Sequence, residues 1–395
     1  MEKKKKILIA TGIFPPDIGG PATMLEALRQ SLIEYNFEVK VITFFSTPEK
    51  DYSKINEKWL YRINRQNNPV FSYAKYFFKM WKLSHWADVL YVTDTYSVGY
   101  FAYLIKKFSG KRYMVRFAGD SAWEIALSRG WTDDYILDFL DKKYNSRIEK
   151  LKKRRKKILV EADKIIAVSQ FIKTLAERIG VSENKIKVIY NAIDFMDKSF
   201  DPAKVNEIRE KYNKDSKIII TACRLTPWKG VAGVIKILTL LKNKVGKINF
   251  LILGSGPESN NLKRLAADLG VIDNVHFLGK VEHNKILNYF KAADLFVLNS
   301  NYEGLSHTLL EVMIVETPII TTNIDANKEV IEDGKEGLLV NYNNQEELLK
   351  AALKILIEKQ TADFLTAKAK EKSKDFNFNK TVKETVELLN EIFYE

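Results

Sequence analysis

Short apolar runs, rich in β-branched residues, alternate with amphipathic stretches of helical periodicity along the chain of 395 residues. The runs show no regular polar alternation, which is typical of strands buried on both faces of a parallel sheet. A first series of candidate strands lies at 5–11, 39–45, 89–93, 112–117, 164–169 and 187–190. A second series lies at 217–224, 248–254, 275–279, 295–300, 318–323 and 337–340. Two such series predict an α/β fold with two doubly wound, Rossmann-like domains, each a parallel sheet covered by helices.

A polar stretch at 197–217 separates the two series of strands. We therefore predict an N-terminal domain over 1–196 and a C-terminal domain over 197–374. Two domains also fit the length, because single hydrophobic cores stop growing well below 395 residues.

Composition excludes several classes of protein. Cys223 is the only cysteine, which excludes intramolecular disulfides and cysteine-rich metal sites and fits a reducing cytosol. The four histidines are scattered, without the spacing of a metal motif. The apolar run behind the N-terminal lysines is short and ends at Pro15-Pro16, which favours a first sheet strand over a secretory signal. Apolar runs also stay below the ~20 residues that a membrane span needs.

The net charge of +13 is concentrated at 142–157, where ten Lys and Arg stand against one Glu. Such a stretch suits an anionic lipid surface or a nucleic acid, with a solvated helix face as the alternative. Residues 59–103 carry fourteen aromatic side chains, several interleaved with lysine. An aromatic stretch is more often core than interface, but Trp, Tyr and Lys next to a basic helix also suit the lipid headgroup zone. The alternatives stay open at this point, with an anionic membrane or acceptor preferred and no nucleic acid expected.

Candidate binding residues follow the strands, because open parallel sheets bind ligands beyond the carboxyl ends of their strands. Gly19 and Gly20 follow the first strand and precede a helix, so their backbone could approach a ligand; a simple turn is the alternative. Arg224 and Lys229 follow the first strand of the second series. Two cations at this place suit a doubly charged anion such as a diphosphate, with solvated surface charges as the alternative.

Two further loops of the second domain carry candidate residues. Gly254 lies in a glycine-containing turn whose backbone could pass a nucleoside. Glu303 follows the strand at 295–300, and Glu311 stands eight positions later. Between them lie the residues expected to form the anion-binding first turn of a helix, Gly304, Leu305, Ser306, His307 and Thr308. This pattern suits the hydroxyls of a sugar and a ribose better than a metal, for which we expect no site; a helix-end charge with a solvated glutamate is the alternative.

At these residues the chain resembles the retaining nucleotide-sugar glycosyltransferases of family 4, which have the GT-B fold with two domains facing a central cleft. The E-x7-E motif is present as Glu303 to Glu311, and the arginine–lysine motif as RLTPWKG at 224–230. Other matching segments are FPPDIGG at 14–20, ADKIIAVSQF at 162–171, VIYNAID at 188–194, LILGSGPE at 251–258 and VHFLG at 275–279. The resemblance covers nearly the whole chain, and the order of the motifs makes it specific.

The resemblance implies roles for these residues. Arg224 and Lys229 would hold the donor diphosphate, supported by the backbone at 304–308, while Gly19 and Gly20 face it from the N-terminal, acceptor-side domain. Glu311 would bind the ribose and Glu303 the donor sugar. Members of the family react with retention, by front-face attack in which the leaving phosphate takes the proton of the acceptor. The resemblance also implies that a C-terminal helix at 375–395 crosses back to the N-terminal domain.

The chain departs from the family pattern at three places. A crevice histidine of many relatives is replaced within RFAGDSAWE, where Asp120 is our candidate for a catalytic role. The usual Asn-Gly before the domain boundary is Asn191-Ala192. The segment NIDANKE at 323–329 lacks the glycines that help relatives to select donor and acceptor, so donor specificity does not transfer.

The expected function is transfer of a sugar from a nucleotide diphosphate sugar, a UDP-sugar or GDP-mannose, to a membrane-associated glycan or glycolipid. We expect no cofactor, a cytoplasmic protein peripheral to the inner face of the membrane, and a role in surface polysaccharide synthesis. The alternatives are a sugar epimerase of the same fold, and a non-catalytic protein that binds anionic membranes or nucleic acid.

Overall fold

The computed structural model of the chain describes residues 4–17, 19–45, 57–65, 69–193 and 200–394. The chain divides into two compact units, Met1–Tyr190 with Asn379–Glu395, and Asn191–Phe378. The boundary predicted at 196/197 lies outside the described residues. Much of the polar stretch predicted to join the domains is a helix of the second unit.

The first unit is built on a parallel sheet of seven strands, in the order β3-β2-β1-β4-β5-β6-β7. Its strands are β1 Lys6–Ala10, β2 Glu38–Phe45, β3 Leu60–Asn64, β4 Val89–Val92, β5 Tyr113–Phe117, β6 Lys164–Ala167 and β7 Ile186–Val188. Its helices up to the boundary are α1 Gly20–Glu34, α2 Pro69–Ser84, α3 Val98–Ser109, α4 Ser121–Ser128, α5 Ile136–Asp141, α6 Ser146–Val160 and α7 Gln170–Ile179. The apolar run near the N-terminus is β1, which pairs with β2 and β4 inside the sheet.

The second unit is built on a parallel sheet of six strands, in the order β10-β9-β8-β11-β12-β13. Its strands are β8 Lys217–Ala222, β9 Ile248–Leu253, β10 Val275–Gly279, β11 Leu295–Leu298, β12 Ile319–Thr322 and β13 Leu338–Val340. Its helices are α8 Pro202–Lys211, α9 Val231–Val245, α10 Ser259–Asp268, α11 His283–Ala292, α12 His307–Ile314, α13 Asp325–Lys328, α14 Gln345–Ile357 and α15 Lys359–Ser373. Isoleucine, leucine and valine of the strands pack against α9 and α14 to form the core.

The strand order of each sheet reverses between two neighbouring strands, β1 and β4 in the first unit and β8 and β11 in the second. Reversal points of this kind are where doubly wound sheets bind ligands. Three of the loops that follow these strands carry predicted residues, namely Gly19 after β1, Arg224 and Lys229 after β8, and Glu303 after β11. All six predicted strands of each series are present, and the predicted doubly wound α/β architecture is confirmed for both units.

The last helix, α16 Phe378–Tyr394, belongs to the first unit from Asn379 onward. Thr381 Oγ1 donates a hydrogen bond of 3.0 Å to the carbonyl oxygen of Tyr190. Further along, the Phe393 ring stacks on Phe37 with 6.0 Å between the ring centroids. Across the part of the chain that the structure describes, every helix is too short or too polar to cross a bilayer.

Candidate active site

The loop after β8 is held against the end of β11 by two hydrogen bonds. Asn301 N donates to the carbonyl oxygen of Trp228 at 2.7 Å, and Asn299 Nδ2 donates to that of Gly230 at 2.9 Å. Gly230 has φ +59°, and a Cβ at this position would lie 2.0 Å from the carbonyl oxygen of Asn299. Since only glycine fits so close an approach, the loop has one available path past the strand. That path fixes the backbone of Lys229, the residue before Gly230.

Lys229 and Glu303 form an ion pair, with Nζ 2.5 Å from Oε1. The two side chains are 16% and 11% exposed, so the pair is largely shielded from water. A shielded pair is stronger than a surface pair, because water screens its charges less. The pair therefore fixes the Lys229 ammonium at the reversal point of the second sheet.

Two other groups on the same loop have different properties. Arg224 is exposed, and within the described ranges no carboxylate pairs with its guanidinium. It is therefore a cation open to an external anion. Burial raises the pKa of the Cys223 thiol to about 11, so at neutral pH it is protonated and a poor nucleophile.

The loop between β11 and α12 presents backbone N–H groups at the start of a helix. The helix begins at His307, so of the five residues predicted for its first turn only His307 and Thr308 are helical. Ser306 is the N-cap and accepts from Leu309 N at 3.3 Å. Asn191, which is buried, donates from Nδ2 to the carbonyl oxygen of Leu305 at 2.9 Å. Asn191 thus anchors the segment with Gly304 and Leu305, a role that its place before the boundary did not reveal.

Glu311 lies in α12 and is 5% exposed. His283, the first residue of α11, places Nε2 3.5 Å from Oε1 of this carboxylate. The sequence contains no signal for this contact, because His283 and Glu311 are far apart in the chain and lie on different helices. A buried carboxylate needs hydrogen-bonding partners, and a ligand hydroxyl is a suitable donor.

Gly254 has a structural explanation in addition to its predicted role. Its φ is +130°, and a Cβ at this position would lie 1.9 Å from the carbonyl oxygen of Cys223. Leu225 N also donates to the carbonyl oxygen of Ser255 at 3.1 Å. The glycine is therefore needed for the loops after β8 and β9 to pack together, whether or not a nucleoside binds there.

The remaining predicted residues lie in the first unit. Gly20 is the first residue of α1, and the carbonyl oxygen of Gly19 accepts from Ala22 N at 3.0 Å. Asp120 is fully buried at the N-cap of α4, where Oδ1 accepts from Ala122 N at 2.9 Å and from Trp123 N at 3.2 Å. Its Oδ2 pairs with Arg155 of α6. These contacts give Asp120 a structural task, capping one helix and tying it to another.

The structure thus brings Lys229 and Glu303 into contact in the second unit, with Arg224 on the same loop as Lys229. Gly304 to Thr308 and Glu311 follow on the next loop and helix. Within the described residues, no three His, Cys, Asp or Glu side chains lie together as the ligands of a metal would.

Family models match the chain in two parts. Residues 18–196 match the glycosyltransferase family 4 model, and residues 204–372 match the model of glycosyl transferases group 1. The chain belongs to glycosyltransferase family 4. As a glycosyltransferase of this family it uses a nucleotide-sugar donor and a glycan acceptor.

Relatives of this family 4 glycosyltransferase match nearly its whole length or a part of it. An uncharacterized glycosyltransferase of Methanocaldococcus jannaschii is 26% identical over 97% of both chains. A GDP-mannose-dependent alpha-(1-6)-phosphatidylinositol monomannoside mannosyltransferase of Mycobacterium tuberculosis is 28% identical over 43% of this chain and 46% of its own.

Solved structures with the same architecture confirm the predicted GT-B fold. The sucrose-phosphate synthase of Thermosynechococcus elongatus has a TM-score of 0.82 at 16% identity, over 99% of this chain and all of its own. Anabaena HepE, solved in complex with UDP and glucose, has a TM-score of 0.79 at 18% identity, over 98% of this chain and all of its own.

Proposed function

We propose that this glycosyltransferase transfers a sugar, with retention, from a UDP-sugar or GDP-mannose to a membrane-associated glycan or glycolipid of surface polysaccharide synthesis. The observation that carries the proposal is the Lys229–Glu303 pair at the reversal point of the second sheet, with the exposed Arg224 on the same loop. The Anabaena structure with UDP and the GDP-mannose-dependent mycobacterial relative support these two donor classes.

The chemistry proposed for the site is stabilisation of a leaving diphosphate. Breaking the bond between the sugar and the phosphate puts negative charge on the phosphate oxygens. Lys229 and Arg224 are cations, and the N–H groups at the start of α12 are partial positive charges, so all three stabilise the charge that develops. We propose that Glu303 accepts a hydrogen bond from a sugar hydroxyl and that the leaving phosphate takes the proton of the acceptor.

We propose that the reaction is independent of metal ions, since protein cations supply the charge stabilisation. A panel of nucleotide sugars, read first by the shift of the melting temperature and then by nucleotide release, tests the function. We expect one donor class to raise the melting temperature and to be consumed at the same rate with and without EDTA. A panel in which every nucleotide sugar leaves the melting temperature unchanged contradicts the proposal.

Replacing Glu311 is expected to weaken binding of the nucleoside without affecting the phosphates. Glu311→Ala removes the acceptor proposed for the ribose hydroxyls, and such hydrogen bonds to a charged group are worth about 1.5–3 kcal/mol. We expect the Kd of UDP or GDP to rise about tenfold or more, and that of inorganic pyrophosphate to stay unchanged. Calorimetric titration measures both, with Glu346→Ala, an exposed glutamate of α14, as control. An equal loss of affinity for the nucleotide and for pyrophosphate would contradict the role of Glu311 in binding the ribose.

The membrane part of the proposal rests on helix α6, whose basic residues fall into two groups. Lys152, Arg154 and Arg155 face the protein: Arg155 pairs with Asp120, and the guanidinium carbon of Arg154 lies 4.0 Å from the ring centroid of Tyr100. The other basic residues are exposed, namely Arg147, Lys150, Lys153, Lys156 and Lys157. Only this second group is available to an anionic lipid surface.

Reversing three exposed charges of α6 is expected to abolish binding to anionic vesicles. Each Lys near such a surface contributes ~1 kcal/mol, so the triple change Lys150→Glu, Lys153→Glu and Lys157→Glu lowers the affinity about 100-fold or more. Vesicle sedimentation measures the change, and transfer to a soluble acceptor is expected to continue. The matched control reverses Lys236, Lys244 and Lys350, which are exposed in the second unit. Equal binding by both triple variants would reject α6 as the lipid-binding helix.

A further inference from the structure

Helix α2 exposes a stripe of alternating aromatic and basic side chains. Phe71, Lys75, Phe78 and Lys82 stand four, three and four positions apart, which puts them on one face of the helix. Phe71 is 66% exposed and Phe78 69% exposed. The opposite face, with Tyr76 and Met80, is buried against the sheet. The phenylalanine side chains of the stripe are thus available to a binding partner outside the chain.

The neighbouring helix α3 continues this surface. Phe108, near its C-terminal end, is 68% exposed, and its ring centroid lies 6.4 Å from that of Trp81 in α2. Next along, Tyr100 of α3 contacts Arg154 of α6. Helix α3 thus contacts both α2 and the basic helix α6, so the three helices form a contiguous surface.

The charge of this face is of one sign. Helices α2, α3 and α6 together carry thirteen Lys and Arg and a single acidic residue, Glu149. A second copy of the same face would be repelled by this charge, which argues against self-association through it. Exposed aromatic rings among cations match an anionic lipid bilayer, whose headgroups attract the lysines while the rings enter the boundary of the acyl chains.

We propose that the α2–α3 surface, formed by Phe71, Lys75, Phe78, Lys82 and Phe108, inserts its phenylalanines into an anionic bilayer. It adds an apolar anchor to the electrostatic contact of α6, and so it rests on the membrane part of the proposed function. The two contributions differ in their response to salt. At about 1 M salt the Debye length is about 3 Å, so charge attraction is screened while apolar insertion persists.

The test uses the full chain with vesicles of phosphatidylcholine and phosphatidylglycerol. The double variant Phe71→Ser/Phe78→Ser is expected to have an affinity for the vesicles that is lower by about tenfold or more. The reason is that two phenylalanine side chains no longer move from water into the bilayer. It is also expected to lose the fraction that stays bound at high salt. The control is Phe364→Ser in α15, a phenylalanine that is 52% exposed in the other unit. Both variants should melt as the wild type does, since both change exposed positions.

A second readout locates the anchor. A cysteine at position 78, from Phe78→Cys, carries an environment-sensitive dye, and vesicles are expected to shift its emission to shorter wavelength. The same dye on Phe364→Cys should not respond.

The inference and the proposed function fail differently. If the double variant keeps wild-type affinity and salt dependence while the α6 triple variant is lost from vesicles, insertion is overturned and electrostatic docking stands. If the wild-type protein does not bind the vesicles, both the inference and the membrane part of the proposed function are rejected. A molar mass by light scattering that is halved by Phe71→Ser/Phe78→Ser would also overturn the inference, because the surface would then join two copies of the chain.

Discussion

Lys229→Ala is expected to reduce sugar transfer about 10²–10³-fold, the effect of removing one donor that stabilises charge in a transition state. The ammonium is fixed by Glu303 at 2.5 Å, and the turn at Gly230 fixes the backbone next to it, so the charge is held where the leaving phosphate is proposed to bind. The rate of nucleotide release at saturating donor measures the loss. The loss should fall mainly on kcat, since the charge on the leaving phosphate develops during the reaction.

The control for this result separates chemistry from stability. Lys229→Ala leaves Glu303 without its cation, so part of any loss could come from a disturbed loop. Because Glu303 is itself proposed to bind the sugar, the melting temperature of Lys229→Ala is the control, and it is expected to stay close to that of the wild type. Lys236→Ala, on the exposed side of α9, should behave as wild type. Wild-type activity in Lys229→Ala would contradict the proposal that this loop binds the donor diphosphate.

Asp120→Ala is expected to destabilise the first unit by about 3–5 kcal/mol, the cost of leaving one partner of a buried ion pair alone. The side chains of Arg155 and Asp120 are 5% and 0% exposed, so the guanidinium cannot turn to water without moving α6. Loss of the N-cap of α4 adds to the effect. Tryptophan fluorescence during urea unfolding measures it, because five of the six tryptophans lie in the first unit.

Two further variants distinguish a structural Asp120 from a catalytic one. Asp120→Leu/Arg155→Leu removes both charges and should recover much of the stability, as buried pairs replaced by apolar residues often do. Asp133→Ala, at an exposed position, should change nothing. A folded Asp120→Asn protein that has lost transfer would instead support the catalytic role predicted from the sequence.

The alternation of apolar and amphipathic segments was enough to predict both sheets, because strands buried on both faces are almost wholly apolar. One strand does not follow this pattern and was not predicted. β3, Leu60–Asn64, includes Arg62 and Asn64 and lies at the edge of its sheet, where it pairs with a single neighbouring strand. An edge strand can keep polar side chains in water, so it does not show the continuous apolar run that marks the others.

The site was predictable to the level of loops but not of contacts. Sheet topology alone places the residues after β8 and β11 at one edge, whereas the pairing of Lys229 with Glu303 depends on the path of two loops. The contacts of Asn191 with Leu305 and of His283 with Glu311 join segments far apart in the chain, and no local pattern marks them. Gly254 shows the converse case, since a glycine that suggests a ligand is also required by the packing of two backbones.

The return of α16 to the first unit has a consequence for protein synthesis. Residues 191–378 lie between β7 and the helix that completes the first unit. At the usual rates of translation, roughly 10–40 s pass while the ribosome makes them. During that time Phe37 and the carbonyl of Tyr190 still lack their α16 partners and stay open to water or to chaperones. Slowing translation within 191–378 should therefore lengthen the time for which the first unit is vulnerable to proteases.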